Sequence, residues 1–222
     1  MTAPEAILFD FGGTLDADGV AWKDRFAALV RAEAPALAGD GFDRAFYAAD
    51  DALIGTIPAD LSFRETVERL AAGLARELGA PPELATRVAS RFLADSLERL
   101  AGSAALLDRL SPRYRLGIVS NFYGNLGAVC VSTGIARHLG ATIDSAAVGF
   151  EKPDPRIFQA ALDALAVSAD RAVFVGDSLP RDMAGARAMG MRHVYLKPGA
   201  DAACCPDDAV IARLDRLPGV LP

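Results

Sequence analysis

The chain has 222 residues, is 52% hydrophobic and 23% charged, and carries a net charge of −6 with a pI of about 5.0. This describes a folded protein with one sizeable core and a smaller lobe, and it excludes a disordered chain or a broad basic surface for nucleic acid. An anionic ligand would need local basic groups or amide donors, not a general positive field.

In chain order, Glu5 to Phe9 is an apolar run that reads as a buried strand ending at Asp10. Gly12, Gly13 and Gly19, with acids between them, mark a tight loop. From Trp22 to about Leu100 the pattern is helical. Ser62 and Glu65 form a capping box that opens the stretch Leu61–Leu78, Pro81-Pro82 breaks it, and Glu83–Leu100 resumes. Strand and helix then alternate: Arg115–Val119 (strand), Asn125–Thr133 (helix), a short strand within Ala141–Val148, Pro155–Leu165 (helix), Ala172–Val175 (strand), Pro180–Met189 (helix) and His193–Leu196 (strand). The pattern predicts an α/β fold, a doubly wound parallel sheet with helices on both faces. The expected division is a core of residues 1–18 and 101–222 and an inserted helical cap of 19–100, placed where open α/β sheets bind ligands.

The cysteines, Cys130, Cys204 and Cys205, have no CxxC spacing, and His138 and His193 make no ligand pair with them. They read as buried or incidental thiols and fit a reducing compartment. The N-terminus shows no basic region and no long apolar segment, so the expectation is a cytoplasmic protein without a membrane span. Lysine is scarce, with only Lys23, Lys152 and Lys197. A lysine here is less readily dismissed as surface filler.

Four polar clusters fall at the ends of four expected strands: Asp10–Asp16, Ser120-Asn121, Lys152–Pro155 and Gly176–Asp182. In a parallel sheet all four meet at one edge. These segments resemble the motifs of the haloacid dehalogenase superfamily, in order. Asp10-Phe11-Gly12-Gly13-Thr14-Leu15 is similar to DxDGTL, Ser120 matches the second motif, Lys152 the third, and Gly176-Asp177-Ser178 with Asp182 the fourth. The insert resembles that family's helical cap.

The resemblance implies that Asp10 is a nucleophile forming an aspartyl-phosphate on a small phosphorylated substrate, with Ser120 and Lys152 holding the phosphoryl group. It implies Mg²⁺ held by Asp10, the Gly12 carbonyl and Asp177, with Asp182 supporting the metal or orienting Lys152. Gly12, Gly13 and Asn121 are candidate substrate contacts. Asp154 would cap the helix after Lys152. The sequence leaves monomer and homodimer equally open.

One departure matters. The family's acid/base aspartate, two residues after the nucleophile, is Gly12 here. General acid–base help is worth about 10²–10⁴-fold. Three readings stay open: a slow or specialised phosphohydrolase, suited to leaving groups such as those of acyl phosphates or helped by Asp16 or Asp18; a phosphonate or C–X bond hydrolase, the former with Lys23 as a Schiff-base amine; or an inactive phosphate-ligand binding or regulatory protein. Trp22, Phe26, Phe42, Phe46, Tyr47 and Phe63 could line a pocket or pack the insert, and Phe122-Tyr123 are better placed to touch a ligand.

Overall fold

The computed structural model describes residues 3–199 and 209–221. Cys204 and Cys205 lie outside the described residues. Six strands form one parallel sheet: β1 (Ala6–Phe9), β2 (Arg115–Ser120), β3 (Ala141–Asp144), β4 (Ala172–Gly176), β5 (Arg192–Leu196) and β6 (Ala209–Ile211), in the order β3-β2-β1-β4-β5-β6. The sequence pattern missed β6, which has only three residues, too few for a period to show.

β1 is buried along its whole length, as a central strand covered on both faces must be. Its side chains alternate. Ile7 and Phe9 join Val173, Val175 and the helices of the insert in one core, while Ala6 and Leu8 join Phe174 and Ile157, Phe158 and Leu162 in the other. The sheet is therefore doubly wound. It carries four connecting helices, α5 (Leu126–Ser132), α6 (Ser145–Val148), α7 (Pro155–Leu165) and α8 (Ala184–Ala188), besides those of the insert. Asp154 caps α7, accepting from the Arg156 amide.

Between β1 and β2 come α1 (Trp22–Glu33), α2 (Phe42–Asp51), α3 (Phe63–Glu77) and α4 (Pro82–Leu110). The Ser62–Glu65 capping box opens α3. α4 has 29 residues and passes through position 100 without a break, so the secondary structure places no boundary there. The insert packs around aromatic rings, with Phe26 stacked on Phe92 at 4.5 Å and tilted against Phe46 at 5.7 Å. It is bonded to the core at several points. Ser103 donates to the Leu15 carbonyl at 2.6 Å, and Asn125 donates to the Leu61 carbonyl at 2.9 Å and to Thr66 at 2.7 Å. Among the described residues no helix is long and apolar enough to cross a membrane.

Candidate active site

β1 has β2 on one side and β4 on the other, so the chain reverses its direction across the sheet there. At such a switch point the strand ends leave a crevice. Asp10, Ser120 and Asp177 follow or end these three strands, and their side chains meet in it.

Asp10 is almost buried. Its Oδ1 accepts from the Ser120 hydroxyl at 2.8 Å and from the Lys152 ammonium at 2.7 Å. Among the described residues no hydrogen bond or ion pair reaches its Oδ2. Lys152 Nζ also lies 2.6 Å from Asp182 Oδ1. Burial pulls the Lys152 ammonium down, but Asp10 and Asp182 more than offset it, and its pKa stands above the ordinary lysine range. It is a permanent cation in this setting. Asp182 Oδ2 accepts the Ser178 amide at 3.0 Å, so both its oxygens are held.

Among the described residues, Asp177 has no such cation. Its Oδ1 accepts the Thr14 hydroxyl at 3.0 Å. Burial, then the charges of Asp10 and Asp182, push its carboxyl up to about 8, and burial pushes Asp182 up to about 6. Among the described residues, Asp10, Asp177 and Asp182 are the one group whose candidate metal-ligand atoms all lie within 4.8 Å of one another. Three carboxylates thus face one ammonium. The excess negative charge and all-oxygen donor set suit a hard divalent cation.

Two glycines let the carboxylates come this close. Gly13 has φ +98°, and a Cβ there would stand 2.5 Å from Asp177 Oδ2. A Cβ on Gly176 would stand 2.3 Å from Asp182 Oδ2.

Asn121 lines the same cavity, but both its amide atoms hold the Lys152 backbone: Oδ1 accepts from the amide at 2.7 Å and Nδ2 donates to the carbonyl at 3.2 Å. The loop after Ser120 is fixed by Asp144, whose Oδ2 accepts the amides of Gly124 at 2.9 Å and Leu126 at 3.0 Å.

The cavity above Asp10 holds about 330 Å³, room for a small molecule. The insert supplies Trp22, Lys23, Phe46, Tyr47 and Asp50, and the core supplies Phe122, Tyr123, Pro180 and Arg181. Phe26, Phe42 and Phe63 are instead buried packing of the insert. Asp50 carried no signal in the sequence, and its place in the cavity follows only from how α2 lies over the sheet edge. Arg181 falls within the Gly176–Asp182 cluster but was not singled out there. The Tyr123 hydroxyl donates to Asp50. Burial pushes the Asp50 carboxyl up, and burial and then Asp50 push the Tyr123 phenol well above its usual range.

The two candidates for replacing the missing aspartate, Asp16 and Asp18, and the candidate Schiff-base amine, Lys23, are engaged elsewhere. Asp16 is fully buried and accepts from the Gly13 amide, Trp22 Nε1 and Arg25, each at 2.8 Å, with Ser96 at 3.3 Å. Burial pushes its carboxyl up, against the pull of Arg25 and these donors. Asp18 accepts the Leu214 amide at 2.8 Å and pairs with Arg99 at 3.4 Å. Lys23 lines the cavity but pairs with Asp43 at 2.8 Å, and that hydrogen bond raises its pKa. A Schiff-base amine needs the opposite shift. Cys130 is buried, with burial pushing its thiol up to about 12, so it is inert packing.

Haloacid dehalogenase-like hydrolase domain-containing protein 3 of Bos taurus is 39% identical over 103 residues, 46% of this chain and 41% of that protein. The chain thus matches less than half the length of that relative. Phosphoglycolate phosphatase of Rhodospirillum rubrum is 32% identical over 205 residues, 88% of this chain and 80% of that one. The fold is shared with the magnesium-bound HAD-hydrolase YfnB of Bacillus subtilis, at a TM-score of 0.62 and 21% identity over 99% of both chains. The model of the family described as "haloacid dehalogenase-like hydrolase" matches residues 4–190, and the chain belongs to that family.

Proposed function

We propose that the protein is a magnesium-dependent phosphohydrolase that forms an aspartyl-phosphate on Asp10. The observation that carries this is Asp10 itself: one carboxylate oxygen is fixed by Ser120 and Lys152, the other takes no partner among the described residues, and Asp177 and Asp182 stand beside it. An oriented carboxylate with an unoccupied oxygen is a nucleophile.

Magnesium bound by Asp10, Asp177 and the Gly12 carbonyl would neutralise phosphoryl oxygens and let one anion attack another. Lys152 places its ammonium where those oxygens gather, and Asp182 and Asn121 hold it there. Ser120 donates its hydroxyl to the same group. The helices from 19 to 100 act as a cap that closes the cavity over the substrate and selects it. The phosphatase among the relatives supports a small phosphorylated substrate.

Attack on a carbon–halogen bond fits less well. Displacement of halide puts no oxyanion on the carbon under attack for a metal cation to neutralise, and Asp177 would have no task there. A second reading, a phosphate-ligand binding protein with little turnover, rests on Gly12 alone.

The test is hydrolysis of acetyl phosphate and 4-nitrophenyl phosphate, with magnesium and with a chelator, for the wild type, Asp10→Asn and Asp177→Asn. Turnover lost with chelator and in both variants supports the phosphohydrolase. Stoichiometric phosphorylation of Asp10 without turnover supports the binding reading. Absence of both turnover and phosphoprotein sinks the assignment.

A further inference from the structure

The place of the missing acid is not empty. A Cβ built on Gly12 would lie 3.2 Å from Trp22 Nε1 and 3.5 Å from Cδ1 and Cε2. The first contact is tighter than side chains ordinarily make, and any atom beyond Cβ in that direction would enter the indole. Trp22 cannot readily swing aside. Its Nε1 donates to the buried Asp16 carboxylate at 2.8 Å, and its ring packs against Phe92 at 5.2 Å, Phe122 at 5.9 Å and Phe63 at 6.1 Å. Where a proton donor would face the leaving group, this chain places an aromatic wall that is pinned in position and continues into Phe122 and Tyr123 along the cavity.

We propose that Trp22 is a specificity-determining residue, restricting the site to phosphoryl donors whose leaving group departs as a stable anion: acyl phosphates and aryl phosphates. This rests on the phosphohydrolase reading above. In the first step an Asp10 oxygen bonds to phosphorus as the bond to the leaving group breaks. The leaving group takes the electron pair and departs as a carboxylate or phenolate, with no proton required. An alkoxide would require one, and the indole, its single N–H already given to Asp16, has none to offer. In the second step a water oxygen bonds to phosphorus, the bond to Asp10 breaks with its pair returning to the carboxylate, and the water proton passes to solvent. Without a positioned base this step is the slower one, and phosphorylated enzyme accumulates.

The experiment compares kcat/KM for acetyl phosphate, 4-nitrophenyl phosphate and ethyl phosphate, with magnesium, in the wild type, Gly12→Asp, and Gly12→Asp combined with Trp22→Ala. The expected result is a wild-type preference for the first two of at least ~10²-fold over ethyl phosphate, the lower range of general-acid help. Gly12→Asp alone should leave that gap, and the double variant should narrow it at least tenfold. The wild-type comparison stands without any variant folding. A wild-type spread within tenfold, or ethyl phosphate turnover gained at least tenfold by Gly12→Asp alone, overturns the inference while leaving the phosphohydrolase reading intact. Where the wild-type spread is narrow, loss of ethyl phosphate turnover in Asp50→Asn would assign the acid to Asp50. Absence of turnover and of phosphoprotein with every substrate overturns both.

Discussion

Asn121 grips Lys152 by the backbone, accepting from its amide at 2.7 Å and donating to its carbonyl at 3.2 Å. The pair joins the loop after β2 to the loop before α7, and so sets where the ammonium sits above Asp10. Asn121→Ala removes both bonds without touching a charge. The expected result is a fall in kcat of about tenfold with KM changed less, since the ammonium is misplaced during the chemical step. Steady-state kinetics with acetyl phosphate read this, and equal losses in Lys152→Arg and the double variant would place both residues on one path.

Among the described residues, Lys152 is the only cation in direct contact with Asp10 and Asp182. Lys152→Met leaves buried carboxylates without their counter-ion, a change that typically costs about 3–5 kcal/mol. Activity should vanish. The metal-free variant should melt well below the wild type, with magnesium recovering part of the difference, as measured by thermal unfolding with and without the ion.

Magnesium affinity should depend on pH with a definite sign. The Asp177 carboxyl is raised from 3.8 to about 8 in the folded, metal-free protein. Below about 8 the ion must displace a proton, so affinity rises by up to about tenfold per pH unit and then levels off. The same shift means that the metal-free fold loses this group's contribution as pH climbs from about 4 to about 8. Calorimetry in two buffers of different ionisation enthalpy measures the proton released. A pH-independent affinity would contradict the reading.

Gly13→Ala should weaken the metal site. Its φ of +98° disfavours a side chain, and the new Cβ would stand 2.5 Å from an Asp177 oxygen. Strain at such positions costs roughly 1–3 kcal/mol, and the carboxylate must also move. The expected outcome is at least a tenfold loss of magnesium affinity together with a lower melting temperature. Gly79→Ala is the control, because its φ of +64° carries the strain with nothing within 4 Å.

Much of the site was legible because Asp10, Ser120 and Asp177 end or follow strands, although Lys152 lies beyond α6 and not at the end of β3 as its cluster was read. Asp10, Ser120 and Asp177 are brought together by strand order alone, and Lys152 and Asp182 follow from the loops behind them. The rest depended on how the insert lies over the sheet, which no periodicity encodes. Nothing near Asp50 says that it meets Tyr123, and nothing around Gly12 says that Trp22 returns to fill its place. The fates of Asp16, Asp18 and Lys23 were hidden for the same reason: each is engaged by a partner from another element, whether Arg25, the Leu214 amide or Asp43. α4 outran its expected end at Leu100 because Ala-rich sequence continues helically until the Ser111-Pro112 stop.

The Asp16 carboxylate binds Arg25 and Ser96, which belong to the first and last helices of the insert, while accepting the amide of Gly13 from the catalytic loop. α1 and α4 are therefore tied to the catalytic loop through one buried carboxylate. The α2 side is tied instead to the loop after β2, by the Tyr123 hydroxyl on Asp50 and by the Gly55 amide on the Tyr123 carbonyl at 3.1 Å. The rim of the cavity on that side is thus held to the core by a single tyrosine, used through both its side chain and its backbone.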